Sequence, residues 1–376
     1  MTDAEQKIKV WWIDDDHANV KGRREAERDA LESQTNQALN LVPIHPADFG
    51  EYLLGLSKES RPDLLLIDFR LHHYPHQDPE KKTPFFARDG VTLRGTTLGD
   101  RILKDVPAYL VSRVTREAQI GSSDEYFDWV LSHDQLIDDD GGMLLLADAA
   151  DYRELRERDI AASRSNDPDE IQQVLVDAIC EILRVPKTSL GSVQSLVSQK
   201  IQTLLRSELN LDSDEIRLAP SRPRAIARWV RTALQRLSGP LIDNLRAATM
   251  FGTTVDYFRT QIEPKLDLVA VKYSGIFCAT ARMTFWRLAL MQSLLRQAET
   301  IEFSSPASLA RTAAEHFKVP EKDRSICRVC RKPWPEAIAF DEDDPRVEAP
   351  VHWRCSKEAT EIDSVIGFDI PRSFGE

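Results

Sequence analysis

The chain has 376 residues, 42% of them hydrophobic, and a formal net charge of −12. This length exceeds that of one ordinary core, so two or three domains are expected. No apolar run reaches the roughly 18 residues that a membrane-spanning helix needs. The first residues, Met-Thr-Asp-Ala-Glu-Gln, lack the features of a signal peptide. We therefore expect a cytoplasmic globular protein, and the negative charge argues against a whole-protein binder of polyanions.

The charge is distributed unevenly along the chain. Residues 1–185 contain 37 acidic and 22 basic side chains, whereas residues 186–311 contain 10 acidic and 17 basic ones. An asymmetry of this kind indicates that the two segments have different roles or that they dock on each other.

The first part of the chain alternates apolar strands with helical stretches, which predicts an α/β domain over residues 1–160 with a flavodoxin-like parallel sheet. Predicted strands cover residues 8–13, 39–44, 63–68, 107–112 and 126–131. Predicted helices cover residues 18–34, 47–57, 94–104 and 115–120. Residues 143–157 are expected to add one more strand, from the run Met-Leu-Leu-Leu, and a final helix.

Three of these strands end on polar side chains. The first runs into Asp14 and Asp15, the third ends on Asp68, and the fourth ends on Ser112. Groups just beyond the carboxyl ends of parallel strands lie in the crevice where open α/β sheets bind ligands. Closely packed carboxylates repel one another unless a cation joins them, and oxygen ligands with room for water suit Mg²⁺. The sequence therefore predicts a weak magnesium site at Asp14, Asp15 and Asp68.

This order of polar strand ends resembles the receiver domain of two-component response regulators, over about residues 8–135. The resemblance implies that Asp14 and Asp15 hold Mg²⁺, that Asp68 is the phosphoacceptor, and that Ser112 senses the phosphoryl group. It also implies a histidine kinase or a small phosphodonor as the source of that group, or another signalling protein as partner. Apart from this self-phosphorylation, no enzymatic activity is expected.

The fifth predicted strand departs from the receiver pattern, which places a lysine after it. That position falls on Ser132 or, one residue later, on His133. Residues 72–90 form an insertion that is a second departure. Two alternatives therefore stay open. One is a non-enzymatic pseudo-receiver that serves as an interaction subunit of a larger complex, and the other is a metal-dependent phosphohydrolase that uses the same acidic pocket.

After a linker at residues 161–167, an all-α domain is expected over residues 168–318. Its first helix begins at Pro168 behind Asp167, a favourable helix start. Further helices are predicted at residues 190–209, 224–237, 241–250 and 281–297.

The most basic stretch of the chain lies in this helical region. Residues 216–242 contain six arginines and no acidic residue. Arg224, Arg228 and Arg231 are spaced to line one side of a helix. Such a face is expected to contact nucleic-acid phosphates or an acidic protein surface, and the acidic first domain of the same chain is one candidate. A solvated helix face is the alternative.

The last segment, residues 320–376, contains two close pairs of metal-ligand residues. Cys327 and Cys330 are separated by two residues, as are His352 and Cys355, and 21 residues lie between the pairs. Four such ligands are what a tetrahedral structural Zn²⁺ site requires, and the arrangement resembles a treble-clef zinc finger. The remaining cysteines, Cys180 and Cys278, are expected to be buried, inert thiols.

Together these features predict a cytoplasmic signalling or regulatory protein. An atypical receiver domain would control a helical output domain that is followed by a structural zinc finger. Phosphorylation of Asp68 would change how the surface around the fourth and fifth strands docks on its target.

Overall fold

A computed structural model of the chain defines the architecture. The residues that it describes are 7–15, 23–54, 61–71, 78, 80, 106–112, 128–132, 136, 140–165, 167–210, 221–235, 239–281, 284–297 and 306–327. The helices predicted at residues 94–104 and 115–120, and almost all of the insertion at residues 72–90, lie outside these ranges. Within them, no helix is both long enough and apolar enough to cross a membrane.

The N-terminal part is an α/β structure with five parallel strands in the order β2-β1-β3-β4-β5. This is the strand order of flavodoxin-like sheets, the order that receiver domains share. The predicted fold class is therefore confirmed for this region. The strands are β1 Ile8–Ile13, β2 Leu39–Ile44, β3 Leu64–Asp68, β4 Ala108–Ser112 and β5 Trp129–Ser132.

The central strands are buried on both faces of the sheet. Successive residues of a strand point to opposite faces, yet Trp11 is 2% exposed and Trp12 is 1% exposed. In β3 all five residues are buried. Strands covered on both sides need apolar side chains throughout, which explains why continuous apolar runs, and not alternating ones, predicted them correctly.

The described residues of this α/β region also include three helices. They are α1 Arg23–Gln34, α2 Phe49–Leu54 and α3 Gly141–Ala162. Helix α3 corrects one prediction, because residues 143–146 were expected to form a strand. A run of four apolar residues fits a strand or a helix. Here the buried side chains recur at helical spacing, so the segment is a helix. The buried side chains of α3 that fix this spacing are Leu145, Ala149, Tyr152 and Leu155.

The start of α3 packs closely against α1. The Gly142 N–H donates to Oε1 of Gln34 at 2.9 Å. A Cβ on Gly142 would lie 2.6 Å from the main-chain oxygen of Leu31, which is too close for any side chain. Glycine is therefore needed at this position because the two helices approach so closely there.

The chain divides into two compact units. The first unit comprises Met1–Ile179 and Val197–Val230, and the second comprises Cys180–Leu196 and Arg231–Glu376. The domain limits expected from the sequence stay predictions. Compact units group residues that pack together, and this grouping does not show which segments fold independently.

Helices dominate the described residues after α3, as predicted. In chain order they are α4 Pro168–Ile182, α5 Leu190–Asn210, α6 Arg222–Trp229, α7 Asn244–Met250, α8 Val255–Tyr257, α9 Leu268–Val271, α10 Arg287–Gln297 and α11 Pro306–His316. Two five-residue π-helical segments continue α6 and α8, at Val230–Leu234 and Phe258–Ile262. Single 3₁₀ turns occur at Pro46–Asp48, Glu263–Lys265, Cys278–Thr280 and Glu321–Asp323.

The second unit is not purely helical. Strands β6 Leu241–Ile242 and β7 Phe285–Trp286 pair antiparallel, at the starts of two segments that were predicted as uninterrupted helices. Helix α7 begins only after Asp243, whose carboxylate accepts the Arg246 N–H at 2.8 Å. This cap places the start of the helix two residues beyond the strand. The prediction of an all-α domain is corrected by this small sheet.

Aromatic rings form much of the core of the second unit. The ring of Phe251 lies 5.3 Å from that of Phe258 and 5.6 Å from that of Phe317. Phe258 in turn contacts Phe285 of β7 at 5.7 Å, nearly edge to face. Contacts of this geometry add to the stabilisation that burial provides. The short β6–β7 pair is thus anchored by its side chains as well as by its main-chain hydrogen bonds.

Candidate functional site

The carboxyl edge of the N-terminal sheet collects the acidic residues that end its strands. Strands β1 and β3 run in register up to Ile13 opposite Ile67. The next residues are Asp14 and Asp68, so they end neighbouring strands at the same level. Asp15 follows directly. The structure therefore brings these three predicted site residues to one edge.

These carboxylates are almost withdrawn from solvent. Asp14 is 1% exposed, Asp15 is 2% exposed and Asp68 is 9% exposed. Oδ1 of Asp68 accepts a hydrogen bond from the Arg70 N–H at 2.9 Å, which fixes the orientation of the carboxylate. Burying ionisable groups is unfavourable unless hydrogen bonds or cations compensate, and proteins concentrate such groups at functional sites.

Two serines end the strands on the far side of Asp68. Asp68 lies opposite Val111 in the β3–β4 pair, so the main chain of Ser112 ends the strand next to that of Asp68. In the β4–β5 pair Ser112 lies opposite Ser132, the last residue of β5. Ser132, one of the two residues expected at the lysine position of receivers, thus ends β5. The other, His133, lies outside the described residues.

The acidic edge fits a weakly held cation better than a dedicated metal cage. Among the described residues, no group of three or more His, Cys, Asp and Glu side chains is arranged to hold a metal ion. Asp14, Asp15 and Asp68 share an edge without forming such a group. Mg²⁺ usually keeps several waters and needs only one or two protein carboxylates. The adjacent Asp14 and Asp15 fit that requirement.

Of the four predicted zinc ligands, the structure describes one. Cys327 is fully buried, while Cys330, His352 and Cys355 lie outside the described residues. The segment before Cys327 is tied down, because the Ser325 hydroxyl donates to the Thr253 carbonyl at 2.8 Å. The zinc site itself stays a prediction.

The two other cysteines differ from each other. Cys180 is buried, as expected, but Cys278 is exposed. The prediction of a buried thiol at Cys278 was wrong because its apolar neighbourhood forms a 3₁₀ turn. Phe277, just before the turn, adopts a left-handed conformation with φ of 57°. There the ring of Phe277 is buried and the following cysteine is at the surface.

The opposite, amino edge of the sheet holds a buried ion pair that sequence reasoning missed. Nε of Arg224, in α6, donates to both carboxylate oxygens of Asp128 at 2.9 Å, and Nη2 lies 2.9 Å from Oδ2. The same carboxylate accepts the Ala108 N–H at 2.8 Å. The Asp128 side chain is fully buried and that of Arg224 is 6% exposed. One aspartate before β5 therefore joins β4 and β5 to a helix 96 residues further along the chain.

The other arginines of α6 have acidic neighbours in the same unit. Nε of Arg222 lies 2.7 Å from Oδ1 of Asp159, in α3, and the Arg222 guanidinium also donates to the Ser163 hydroxyl at 2.9 Å. Nε of Arg228 lies 4.0 Å from Oδ1 of Asp128. Helix α6 packs against α3 along this line. The partner that the structure shows for Arg224 is thus the buried Asp128 carboxylate of the same unit. The expected contact of the basic stretch with nucleic acid or an acidic protein surface stays a prediction.

Arg231 does not belong with this group. It lies in the π-helical segment of the second unit and is fully buried, with its guanidinium carbon 4.1 Å from the ring centre of Phe277. A guanidinium over an aromatic face is held by cation–π attraction. The three arginines expected on one exposed face are therefore distributed between ion pairs of α6 and an aromatic core.

Lys200 adds a further positive charge to the region of α6. Burial lowers the pKa of Lys200 below its ordinary value, and the neighbouring Arg228 lowers it further. Both causes disfavour the charged amine. The lowered pKa therefore reflects the burial of the Lys200 amine and its closeness to Arg228 of α6.

No protein-family model matches the chain, and no curated protein matches its sequence. Solved structures that are similar to it in part include the following two. One is the Mn²⁺-bound form of the response regulator Rcp1, with 16% identity, a TM-score of 0.23, and coverage of 33% of this chain and 80% of that one. The other is a fusion with a trimeric coiled-coil segment of yeast Spc42, with 10% identity, a TM-score of 0.25, and coverage of 54% and 97%. Similarity at this level carries no argument, so the description of the sheet as receiver-like is based on its strand order.

Proposed function

We propose that this is a signalling or regulatory protein that receives a phosphoryl group on Asp68 of its N-terminal sheet. The observation that supports this most directly is the strand register. It places Asp14 and Asp68 side by side, Asp15 next to them, and the main chain of Ser112 on the adjoining strand end. In open α/β sheets this edge is where ligands bind.

The chemistry assigned to these residues is simple. A carboxylate oxygen of Asp68 attacks the phosphorus of the donor and forms a new O–P bond, while the bond from phosphorus to the leaving group breaks and the leaving group keeps the electron pair. Asp14 and Asp15 would hold Mg²⁺, which neutralises phosphoryl charge when bound. The Ser112 hydroxyl would donate a hydrogen bond to a phosphoryl oxygen.

Intact-protein mass measurement after incubation with Mg²⁺ and acetyl phosphate tests this proposal. Wild-type protein should gain the mass of one phosphoryl group, and Asp68→Asn should gain none. The matched control is Asp63→Asn, because Asp63 precedes β3 at the amino edge, where Arg153 lies 3.1 Å from its carboxylate. This control should be phosphorylated like wild type.

A pseudo-receiver is the second candidate, and the end of β5 favours it. Ser132 supplies a hydroxyl where receivers supply a lysine, so the phosphorylated state lacks that cation. Repeated absence of the mass gain would make the sheet a docking module for a larger complex. Continuous release of phosphate, without a retained phosphoryl group, would instead indicate the phosphohydrolase alternative.

The cation site has its own test. Paramagnetic Mn²⁺ should broaden the NMR signals of residues near β1 and β3, because Mn²⁺ occupies the same oxygen sites as Mg²⁺. Asp15→Ala should abolish the broadening, whereas Asp63→Ala should leave it unchanged. Broadening that is the same in wild type and Asp15→Ala would exclude the site.

The carboxyl-terminal zinc site is also part of the proposal. One equivalent of zinc is expected per chain, and Cys327→Ser should release it, because a structural site needs all four ligands. Cys278→Ser is the matched control, since Cys278 is exposed and lies outside the predicted ligand set. Metal analysis of protein prepared without chelator decides the matter, and a zinc content below about a tenth of an equivalent would contradict the site.

A further inference from the structure

Strand β2 lies at one end of the described five-stranded sheet and pairs with β1. A strand in this position can offer main-chain N–H and C=O groups on its outer side, the side away from β1, and a strand of another chain can bind to them. Proteins protect such strands with charged side chains, with proline or with a covering element. The sequence of β2, Leu-Asn-Leu-Val-Pro-Ile, contains one proline and no charged residue. Charged side chains within β2 therefore do not protect it.

The pairing with β1 identifies which groups of β2 face outward. The Ile8 N–H donates to the Ala38 carbonyl at 2.9 Å, and the Asp14 N–H donates to the Ile44 carbonyl at 3.1 Å. The hydrogen-bonding groups of successive strand residues point to alternate sides of the strand, so the even-numbered residues of β2 face β1. The odd-numbered residues face outward, and they are Leu39, Leu41 and Pro43.

None of these three outward residues offers a free donor to another strand. The Leu41 N–H donates to Oε1 of Glu32, in α1, at 2.8 Å. The Leu39 N–H donates to the hydroxyl of Thr35 at 3.2 Å. Proline has no N–H, so Pro43 has no donor. A regular ladder needs donors from both strands, and the outward donors of β2 are used or missing.

The turn between α1 and β2 brings the two helical side chains to the strand. Asn36 and Gln37 adopt left-handed conformations, with φ of 49° and 61°, which residues other than glycine seldom adopt. The chain reverses direction there, so the last turn of α1 lies beside the start of β2. The Thr35 hydroxyl also donates to the Glu32 carbonyl at 3.0 Å. This second bond orients its oxygen to accept the Leu39 N–H.

We infer that Glu32, Thr35 and Pro43 close the outer side of β2 to strand addition, and that the strand they exclude is β2 of a second copy of this chain. Two identical strands related by a two-fold axis present the same groups to each other, so the contact is self-complementary. The uncharged sequence of β2 contains nothing that would repel its own copy. This side of the sheet is separate from the acidic edge, and the inference does not depend on phosphorylation of Asp68.

Sedimentation velocity of full-chain variants over a range of protein concentrations tests this inference. Glu32→Leu removes the acceptor of the Leu41 N–H, and Pro43→Val adds an N–H at the third outward position. The combined variant should self-associate about tenfold more tightly than wild type, because two outward donors become available for hydrogen bonds.

Hydrogen exchange of the Leu41 amide locates the contact. In a dilute solution of the combined variant this amide should exchange faster than in wild type, because its bond to Glu32 is lost. Exchange should slow again as the protein concentration rises, since pairing with a second β2 protects the amide.

Two matched controls separate the hydrogen bond from the charge of Glu32. In Glu32→Gln the side-chain carbonyl still accepts the Leu41 N–H, so this variant should sediment like wild type. Glu25→Leu makes the same change as Glu32→Leu in the first turn of α1, at an exposed position. It should also sediment like wild type.

Three results would overturn the inference. They are a folded combined variant that self-associates no more than wild type, an equal gain in either control, and a gain in association without concentration-dependent protection of the Leu41 amide. If Pro43→Val prevents folding, Glu32→Leu alone provides the same test with a smaller expected gain, because it frees one donor and leaves Thr35 and Pro43 in place.

Discussion

The two edges of the N-terminal sheet use the same residue type in different ways. At the amino edge, the carboxylates of Asp63 and Asp128 are held by arginines of α3 and α6 at 3.1 and 2.9 Å. At the carboxyl edge, the register of β1 and β3 ends with Ile13 opposite Ile67, so Asp14 and Asp68 follow at the ends of neighbouring strands, and Asp15 comes next in the chain. An aspartate beside an arginine fastens elements of the fold together, whereas aspartates that end neighbouring strands lie at the edge where open α/β sheets bind ligands.

The largest effect should come from breaking the buried pair at the amino edge. Asp128→Ala leaves Arg224 buried without its carboxylate, and the free energy of unfolding should fall by about 3–5 kcal/mol. Urea denaturation measures this loss. The double variant Asp128→Ala/Arg224→Met should lose less, because no uncompensated charge stays buried. Equal losses in the two variants would show that the pair does not act as a unit.

The next largest loss of stability should come from removing the buried hydrogen bond between β4 and α3. The hydroxyl of Tyr109, in β4, donates to Oδ2 of Asp148, in α3, at 2.6 Å, and both residues are buried. Tyr109→Phe removes this bond to a carboxylate and should cost about 1–3 kcal/mol of unfolding free energy. Tyr52→Phe, at a position that is 39% exposed, should change stability by less than about 0.5 kcal/mol. Similar values for both variants would contradict a structural role for Tyr109.

Replacing one aspartate at each edge of the sheet with asparagine compares how much each carboxylate contributes to stability. Asp63→Asn weakens its ion pairs with Arg153 and Arg156, and should cost about 1–2 kcal/mol, since the pairs are partly exposed. Asp68→Asn should cost less, because the asparagine carbonyl can still accept the Arg70 N–H. Thermal unfolding of both variants under one set of conditions measures the difference. A larger loss at Asp68 would mean that this edge is structural as well.

The smallest effect expected is the pH dependence that Lys200 contributes. The pKa of Lys200 in the folded protein is lowered from 10.5 by burial and by Arg228. Between the folded pKa and 10.5 the unfolded chain binds more protons than the folded one, so stability rises as pH rises through this window. Lys200→Met should remove that rise, whereas the neighbouring substitution Gln199→Met should retain it. Parallel pH profiles for all three proteins would contradict the prediction.

The sequence predicted the sheet more accurately than it predicted the contacts at the edges. Apolar runs located β1, β2, β3 and β4 to within one residue of their limits. The signal is strongest for the central strands β1 and β3, because strands buried on both faces are apolar almost throughout. The positions of Asp14, Asp15 and Asp68 followed from the ends of those strands. That these residues share one edge requires only that the strands be parallel neighbours, whereas their level along that edge depends on the register of β1 and β3.

Short apolar runs and distant charge pairs were beyond what the sequence could determine. Residues 143–146 fit a strand or a helix, and packing against α1 at Gly142 favours the helix. The pairing of Asp128 with Arg224 joins residues 96 positions apart. One sign of it is visible in the sequence, since Asp128 interrupts the apolar run of the strand predicted at residues 126–131 and Arg224 belongs to an acid-free helix. Nothing local to either residue identifies the other as its partner.

The two adjacent tryptophans of β1 give this sheet a built-in optical reporter for each of its faces. Trp11 and Trp12 point to opposite sides, and each is almost fully buried. The indole of Trp11 meets the rings of Phe49 and Tyr52 edge-on, at 6.4 and 5.5 Å. Its emission therefore depends on the layer that contains α2, while that of Trp12 depends on the other layer. Water that enters on one side of the sheet changes the surroundings of one of these two indoles and not of the other. Because the chain has seven tryptophans, difference spectra against Trp11→Phe and Trp12→Phe would isolate the two signals.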